Sequence, residues 1–203
     1  MTSSTPQLSN ADPQFWDQRY EKKDFAYGQE PNVFLKERAP LASAMAQALS
    51  LADGEGRNGT YLAQLGYKVT SIDFSPAAKI KALSLAKQKS VDLDYHLMDL
   101  NQYHLQTNQW DLIASIFYQP LSTVRKRHYK KVFDALKPQG VFILETKVSL
   151  NGKDSDRYPS VQELVEELSP LEIVYADESE RVLNEGAYHQ GVQRTAQIFA
   201  KKA

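Results

Sequence analysis

From residue 47 onward, short apolar segments alternate with segments of helical periodicity, and turn-forming residues separate them. The apolar, β-rich segments lie at 48–52, 67–72, 93–98, 110–117 and 141–144. Helical patterns lie at about 58–65, after Ser75 and at about 122–136. Because strands that alternate with helices usually form parallel sheets, this order predicts an α/β fold.

The pattern changes after residue 146. Ser160 and Glu163 have the spacing of a capping box, which predicts another helix. Two further strand patterns, 171–183 and 192–200, are close enough along the chain to pair antiparallel. We therefore predict a Rossmann-like, mostly parallel seven-stranded sheet with helices on both faces and an antiparallel C-terminal hairpin. Residues 1–203 form a single domain in this prediction, with residues 1–12 flexible.

Composition narrows the range of functions. The 203 residues are 42% hydrophobic, which is enough for one core, and their formal net charge of −1 gives no positive excess for nucleic acid. The basic run 125–131 has the spacing of a solvated helix face. No apolar stretch is long enough to cross a membrane, and no leader pattern opens the chain. The absence of cysteine fits a cytoplasmic protein, and the four histidines lack metal-ligand spacing, so we expect no metal.

A glycine-rich turn follows the first predicted strand. Gly54, Gly56 and Gly59 satisfy the G-x-G-x-x-G pattern, which lets backbone N–H groups approach a ligand at a helix N-terminus. Asp73 ends the second strand, where a ribose-binding carboxylate belongs. The turn fits a dinucleotide or S-adenosylmethionine, since both contain adenosine.

Three features favour S-adenosylmethionine. The predicted sheet leaves little chain for the separate substrate region of a dehydrogenase. The third strand ends at Asp99, between Met98 and Leu100, which suits an adenine amino group and the two faces of its ring. The antiparallel hairpin is foreign to the usual dinucleotide-binding sheet.

Segments 48–58, 66–75 and 98–99 resemble the consecutive motifs of class I S-adenosylmethionine-dependent methyltransferases. Within that superfamily, the FWDQRY of residues 15–20, the FAYGQEPN of residues 25–32 and the GEGRN of residues 54–58 resemble the tellurite-resistance and thiopurine methyltransferase-like group. The resemblance implies an enzyme that transfers a methyl group from S-adenosylmethionine.

By this resemblance, Gly54 and Gly56 pass beneath the methionine part of the cofactor, and Asp73 accepts hydrogen bonds from both ribose hydroxyls. Phe74 lies against the adenine. The expected cofactor residues are Tyr20, Tyr27, Asp53, Gly54, Gly56, Asn58, Asp73, Phe74, Asp99, Leu100 and Ile116. The alternatives are a plain tight turn for the glycines, a helix N-terminal partner for Asp73 and a local loop carboxylate for Asp99.

The chain departs from the family in its first strand. Ser50 stands where an acidic residue is usual, and Ala52 replaces the customary first glycine. We therefore hypothesise that Asp53 supplies the carboxylate for the cofactor's ammonium group. The resemblance also implies that residues 13–46 form a helical lid whose aromatic side chains attract the sulfonium, although an ordinary packed helix fits the pattern equally.

The methyl acceptor is expected beside Tyr118 and Gln119, which follow the fourth strand, and beside His189 in the final hairpin. Glu145 and Glu185 are further candidate bases. Because no base stands out, a small acceptor that is already nucleophilic, such as a thiol, selenide or halide, is favoured over protein or RNA. The competing hypotheses are a nicotinamide-dependent oxidoreductase and a domain that binds S-adenosylmethionine without turnover.

Overall fold

The structure, a computed structural model, describes residues 13–149 and 156–203. The helices are α1 Pro13–Tyr20, α2 Val33–Arg38, α3 Arg57–Gln64, α4 Pro76–Gln88, α5 Ser122–Ala135 and α6 Val161–Glu167. The strands are β1 Gln47–Leu51, β2 Lys68–Asp73, β3 Asp94–Leu97, β4 Trp110–Ile116, β5 Leu136–Lys147, β6 Glu172–Asn184 and β7 Gln190–Lys201. The segment 1–12, expected to be flexible, lies outside the described residues. Within the described ranges, no helix is long and apolar enough to cross a membrane.

All seven strands form one sheet in the order β3-β2-β1-β4-β5-β7-β6. The first five strands run parallel, and β7 runs antiparallel between β5 and β6. This arrangement confirms the predicted mostly parallel seven-stranded sheet with an antiparallel C-terminal hairpin.

Helices cover both faces of the sheet because neighbouring strand residues point to opposite sides. In β1, Leu49 packs with the core that includes residues of α5 and α6, whereas Ala48 packs with the core that includes residues of α2, α3 and α4. The nearly continuous burial of β4 fits a strand covered on both faces.

Several local signals act as predicted. Ser75 caps α4 through its side chain, which accepts a hydrogen bond from the Ala78 N–H, and Pro76 occupies the first turn. Ser160 and Glu163 form the predicted capping box of α6. Within the basic run of α5, Arg127 is exposed as expected. Arg125, by contrast, is buried and pairs with Glu167 through two nitrogens, each 2.8 Å from a carboxylate oxygen.

The fifth strand begins earlier than the sequence indicates. We expected it at 141–144, after a break at the Pro138–Gly140 segment, but β5 starts at Leu136, directly after α5. Leu136 is fully buried and pairs with Trp110, and the register then shifts before Val141 pairs with Leu112. Tertiary pairing therefore carries the strand through a segment whose local propensity favours a break.

Carboxylates attach the N-terminal segment (residues 13–46) to the sheet domain. The Asp17 Oδ1 atom of α1 accepts hydrogen bonds from the Ser75 hydroxyl at 2.5 Å and the Ala77 N–H at 3.0 Å, at the N-terminus of α4. Glu55, in the glycine-rich turn, accepts from the Ala26 N–H at 2.8 Å and from Lys81 at 2.8 Å. The glycine-rich turn therefore also holds the N-terminal segment in place.

Gly56 allows a close approach between α3 and α4, and we predict that Gly56→Ala is strongly destabilising. The φ of Gly56 is 82°, and an added Cβ would lie 2.5 Å from the Ala82 Cβ. We expect a left-handed penalty of about 1–2 kcal/mol plus an overpacking cost of about 1–3 kcal/mol, measured by urea unfolding.

Gly191→Ala is the matched control, because Gly191 has a φ of 81° and no heavy atom within 4 Å of an added Cβ. Only the left-handed penalty is expected there. Equal losses of unfolding free energy in the two variants would show that α3 and α4 move apart at little cost.

Candidate active site

A cavity of about 310 Å³ opens at the carboxyl ends of β1, β2 and β4. The sheet order reverses direction between β1 and β4, and ligands of open α/β sheets bind at such a switch point. Of the residues predicted from the sequence, Tyr20, Tyr27, Asp53, Gly54, Asn58, Asp73, Phe74, Asp99, Leu100, Ile116, Tyr118, Gln119 and His189 line this cavity. Gly56 is not among the lining residues; it caps the N-terminus of α3 instead.

The glycine-rich turn approaches the cavity with its backbone. The Gly54 N–H donates to Asp73 Oδ2 at 3.0 Å, and its carbonyl accepts from the Tyr95 hydroxyl at 2.7 Å. An added Cβ at Gly54 would lie 2.8 Å from the Tyr20 hydroxyl oxygen, so only glycine leaves room for that contact. Ala52, which replaces the customary glycine, adopts a left-handed φ of 49° all the same.

The Asp53 carboxylate is used within the protein. Its Oδ1 atom accepts from the Ser50 hydroxyl at 2.7 Å and the Gly59 N–H at 3.1 Å, and its Oδ2 atom accepts from the Ser71 hydroxyl at 2.6 Å. Burial raises the pKa of Asp53 to about 6, although the two serine hydroxyls lower it. These contacts give the Ser50 departure a structural reason: Ser50 donates to Asp53, and the carboxylate fastens β1, β2 and α3 together.

Asp73 presents a buried carboxylate at the end of β2. Its Oδ1 atom accepts from the Ser75 N–H at 3.0 Å, and its Oδ2 atom accepts from Gly54. Burial raises the pKa of Asp73 to about 6 against the effect of these N–H groups, and the Asp53 charge raises it further. A carboxylate has about four acceptor positions, so each oxygen retains capacity for a ligand hydroxyl.

The apolar part of the cavity wall suits a flat heterocycle. Phe74, Met98, Leu100 and Ile116 give it apolar walls. Asp99 stands at the rim, where its Oδ1 atom accepts from the Asn101 backbone N–H at 2.8 Å and the Asn101 amide at 3.0 Å. This carboxylate therefore has the local loop contact considered as its alternative role, and it also borders the cavity.

Aromatic residues of the N-terminal segment cover the cavity. Trp16 and Tyr20 stack with their ring centroids 5.9 Å apart, and both line the cavity with Tyr27. Arg19 donates to the Tyr27 hydroxyl at 2.7 Å and lies 4.3 Å from the Tyr188 ring centroid. α1 both packs against α4 and contributes to the cavity wall, a geometry that fits a lid and an ordinary packed helix alike.

Asn58 joins the turn to the N-terminal segment. Its Oδ1 atom accepts from the Asn32 N–H at 2.9 Å, and the Asn32 side chain caps α2 by accepting from Leu35. The expected cofactor residue Asn58 thus borders the cavity while its side-chain oxygen binds protein backbone.

The cavity is also lined by Phe117, Tyr118, Gln119, Arg157 and His189. The Tyr118 hydroxyl is 2.9 Å from His128 Nδ1, and burial raises the pKa of Tyr118, which disfavours phenolate. The Gln119 backbone carbonyl accepts a hydrogen bond from Arg157 at 3.0 Å. The side-chain Nε2 of Gln119 is buried without a hydrogen-bond partner among the described residues. Gln119 therefore has unused donor capacity beside the cavity.

Two candidate bases lie in a buried ionic cluster. Glu145 is fully buried and pairs with Arg181 at 2.7 Å, and it does not line the cavity. Glu185 also lies off the cavity wall and pairs with Arg57 at 2.7 Å and Arg181 at 2.9 Å. Both expectations for bases at the cavity mouth are therefore corrected, because Arg57 and Arg181 bind these carboxylates away from the cavity.

His189 is the histidine that reaches the cavity. Its ring lies between Phe117, at 4.3 Å between centroids, and Tyr27, at 4.5 Å. Burial lowers the pKa of His189, and Glu185 opposes that effect. The imidazole is therefore neutral near neutral pH and able to accept a proton.

The sequence analysis missed Phe117 and Arg157 at the site. Phe117 directly follows β4 and has a left-handed φ of 54°, which is unusual for a bulky residue and is typical of strained functional sites. Its place after a strand's carboxyl end was a usable signal. Arg157 belongs to no sequence pattern, so the sequence offered no signal for it.

The site fits S-adenosylmethionine on the chemistry of its residues. A glycine turn without room for a side chain, a buried carboxylate with spare acceptor positions and apolar walls match the methionine, ribose and adenine parts in turn. The cavity volume is at the lower end of the usual range for small-molecule sites, about 300–1,000 Å³.

Comparisons with known proteins agree with this reading. Residues 48–140 match the family described as methyltransferase domain. TehB from Haemophilus influenzae has a similar structure, with 19% identity, a TM-score of 0.72 and coverage of 94% of this chain and 67% of that chain. An S-adenosylmethionine-dependent methyltransferase from Methanosarcina mazei gives 18% identity, a TM-score of 0.62 and coverage of 85% and 98%.

A third structure was solved in a study of the conversion of a disulfide bond into a thioacetal group during echinomycin biosynthesis. It is 16% identical, with a TM-score of 0.73 and coverage of 95% of this chain and 90% of that chain. No curated protein matches the sequence. Residues 48–140 thus match a methyltransferase domain, and the chain shares its fold with S-adenosylmethionine-dependent methyltransferases.

Proposed function

We propose that this protein transfers a methyl group from S-adenosylmethionine to a small-molecule acceptor bound between Gln119 and His189. The proposal rests on the observation that one cavity is lined both by the hydrogen-bonded pair Gly54 and Asp73 and by the ring of His189. Because the cavity is small, a bound cofactor leaves space only for a compact acceptor. The net charge of −1 supports a small molecule over nucleic acid, and a cytoplasmic location is part of the same proposal.

On the cofactor side, Asp73 binds the ribose hydroxyls and the Gly54 backbone passes beneath the methionine part. Phe74 and Leu100 enclose the adenine, and Asp99 accepts from its amino group. Tyr20 and Tyr27 place aromatic rings near the sulfur, where cation–π attraction contributes about 0.5–2 kcal/mol. In this arrangement the Asp53 carboxylate acts mainly by supporting the turn, because Ser50, Ser71 and Gly59 use three of its about four acceptor positions.

When bound, S-adenosylmethionine supplies an activated methyl group: the acceptor's lone pair forms the new bond to carbon while the carbon–sulfur pair returns to sulfur. The protein's main task is alignment and exclusion of water. Gln119 donates a hydrogen bond that orients the acceptor, and neutral His189 takes a proton from acceptors that carry one. Tyr118 stays protonated and forms part of the wall.

The second candidate is a domain that binds S-adenosylmethionine without turnover. The departures at Ser50 and Ala52 motivated it, and the structure explains both without loss of the site, since Ser50 supports Asp53 and Ala52 adopts the left-handed backbone. A cavity that reaches a neutral, buried histidine favours the enzyme.

Cofactor affinity should depend on pH through Asp73. Its pKa is about 6, so the ionised acceptor is lost as the pH falls through that value. We expect S-adenosylhomocysteine affinity, measured by calorimetric titration, to weaken about fourfold from about pH 7.5 to about pH 5.5. Asp73→Asn should weaken binding about tenfold or more and remove this dependence.

Asp94→Asn is the control, since it changes an exposed carboxylate at the start of β3. Near-wild-type affinity and an unchanged pH dependence in this variant support the assignment of Asp73. An equal loss of affinity in the two variants would show that the effect does not come from the Asp73 carboxylate. NADH serves as a further control, and its binding in place of both sulfur compounds would overturn the proposed function.

Proton removal by His189 should depend on the acceptor. We expect His189→Gln to slow S-adenosylhomocysteine formation at least about tenfold with a protonated thiol acceptor, because general-base catalysis is lost. With iodide, which has no proton to lose, the rate should change little. An equal loss with both acceptors would indicate that His189 shapes the site and takes no proton.

A further inference from the structure

The hairpin turn that carries His189 also carries Glu185, and the two residues face each other. The Glu185 N–H donates to the His189 carbonyl at 2.8 Å, which closes the turn. His189 Nδ1 lies 3.7 Å from Glu185 Oε2, and it is buried without a hydrogen-bond partner among the described residues. Nε2 lies on another edge of the ring and is not among the buried atoms without a partner, and His189 borders the cavity, so we take Nε2 as the nitrogen available to it.

Glu185 is held firmly on its other sides. Arg57 Nη2 lies 2.7 Å from Oε2, Arg181 Nη2 lies 2.9 Å from Oε1, and the Asn32 amide donates to Oε1 at 3.2 Å. Although burial opposes ionisation, His189, Arg57 and Arg181 outweigh it and bring the pKa of Glu185 to about 2. A fixed negative charge therefore faces Nδ1 over the working pH range.

The turn itself has little freedom to move. An added Cβ at Gly186 would lie 2.3 Å from the Gly28 N atom and 2.5 Å from the Tyr27 carbonyl carbon, so the hairpin packs directly on the N-terminal segment. The rings of Tyr27 and Phe117 hold the imidazole between them. Rotation of the His189 ring is thus restricted by packing.

Other charges around His189 act in the opposite sense to Glu185. Lys147 of β5 and Arg57 of α3 both disfavour a positive imidazole, as does burial. Tyr27 lies on the N-terminal side with its hydroxyl bound to Arg19. The neutral imidazole has two tautomers, and a lone pair on Nδ1 would face the Glu185 carboxylate with repulsion, whereas an N–H would be attracted.

We infer that Glu185 is a positioning residue that holds His189 with its proton on Nδ1, leaving the Nε2 lone pair directed to the cavity. This inference rests on the proposed function, because it gives His189 the tautomer that proton removal at Nε2 requires. The carboxylate touches neither cofactor nor acceptor. Its effect passes through the histidine, as with the orienting groups of other catalytic histidines.

Nuclear magnetic resonance of the labelled free protein tests the inference without cofactor or acceptor. The ¹⁵N shifts of neutral histidine distinguish the two tautomers, and His189→Gln identifies the signal among four histidines. We expect the Nδ1–H form to predominate for wild-type His189. In Glu185→Gln, the Nε2–H form should increase and the His189 pKa should fall by about one unit.

Glu180→Gln is the control, because Glu180 is an exposed carboxylate on β6, the strand that leads into the turn, and its loss should leave His189 unchanged. A wild-type spectrum dominated by Nε2–H overturns the inference, and this readout holds even if Glu185→Gln fails to fold. An unchanged tautomer and pKa in folded Glu185→Gln also overturn it. The proposed function fails separately, through absent S-adenosylmethionine binding or methyl transfer.

Discussion

The candidate site depends on one buried carboxylate that lies beneath the turn between β1 and α3. Asp53 receives hydrogen bonds from Ser50 of β1, Ser71 of β2 and Gly59 of α3, and these bonds fix the relative positions of three elements. Burial of such a group is costly unless its oxygens are satisfied, so the three donors are a condition for the turn to exist. Once the turn is fixed, the Gly54 N–H donates a hydrogen bond to Asp73, and these two residues form one wall of the cavity.

The same turn organises the chain that lies over it. Glu55 accepts a hydrogen bond from the Ala26 N–H, and Asn58 accepts one from the Asn32 N–H. The same short turn therefore both lines the cavity and binds the N-terminal segment. Asn32 extends this connection, because its amide donates to Glu145 at 2.6 Å and reaches Glu185. Buried hydrogen bonds therefore link the N-terminal segment, the glycine-rich turn and the C-terminal hairpin, so we expect a change in one of them to affect the other two.

The sequence predicts those parts of the structure whose signals are local. The Ser75 cap, the capping box at Ser160, the alternation of strands with helices and the carboxylate at the end of β2 each depend on residues close in the chain. The roles of Asp53, Glu145 and Glu185 were not predictable, because their partners Ser71, Arg181 and Arg57 come from distant elements. The early start of β5 has the same origin, since pairing of Leu136 with Trp110 overrides the break expected at Pro138.

The charged residues that line the cavity bear on the proposed reaction. Asp73, Asp99, Arg157 and His189 all border the cavity, with Lys147 near the histidine; the proposed function assigns the two carboxylates to the cofactor and His189 to the acceptor. A positively charged histidine there would repel the positive sulfur of the cofactor. Burial, which lowers the pKa of His189, therefore has two effects: the imidazole can accept a proton, and it adds no positive charge next to the methyl group that moves. In the inferred arrangement, the Glu185 carboxylate orients the imidazole, and Arg57, which pairs with that carboxylate, offsets its tendency to favour the protonated ring.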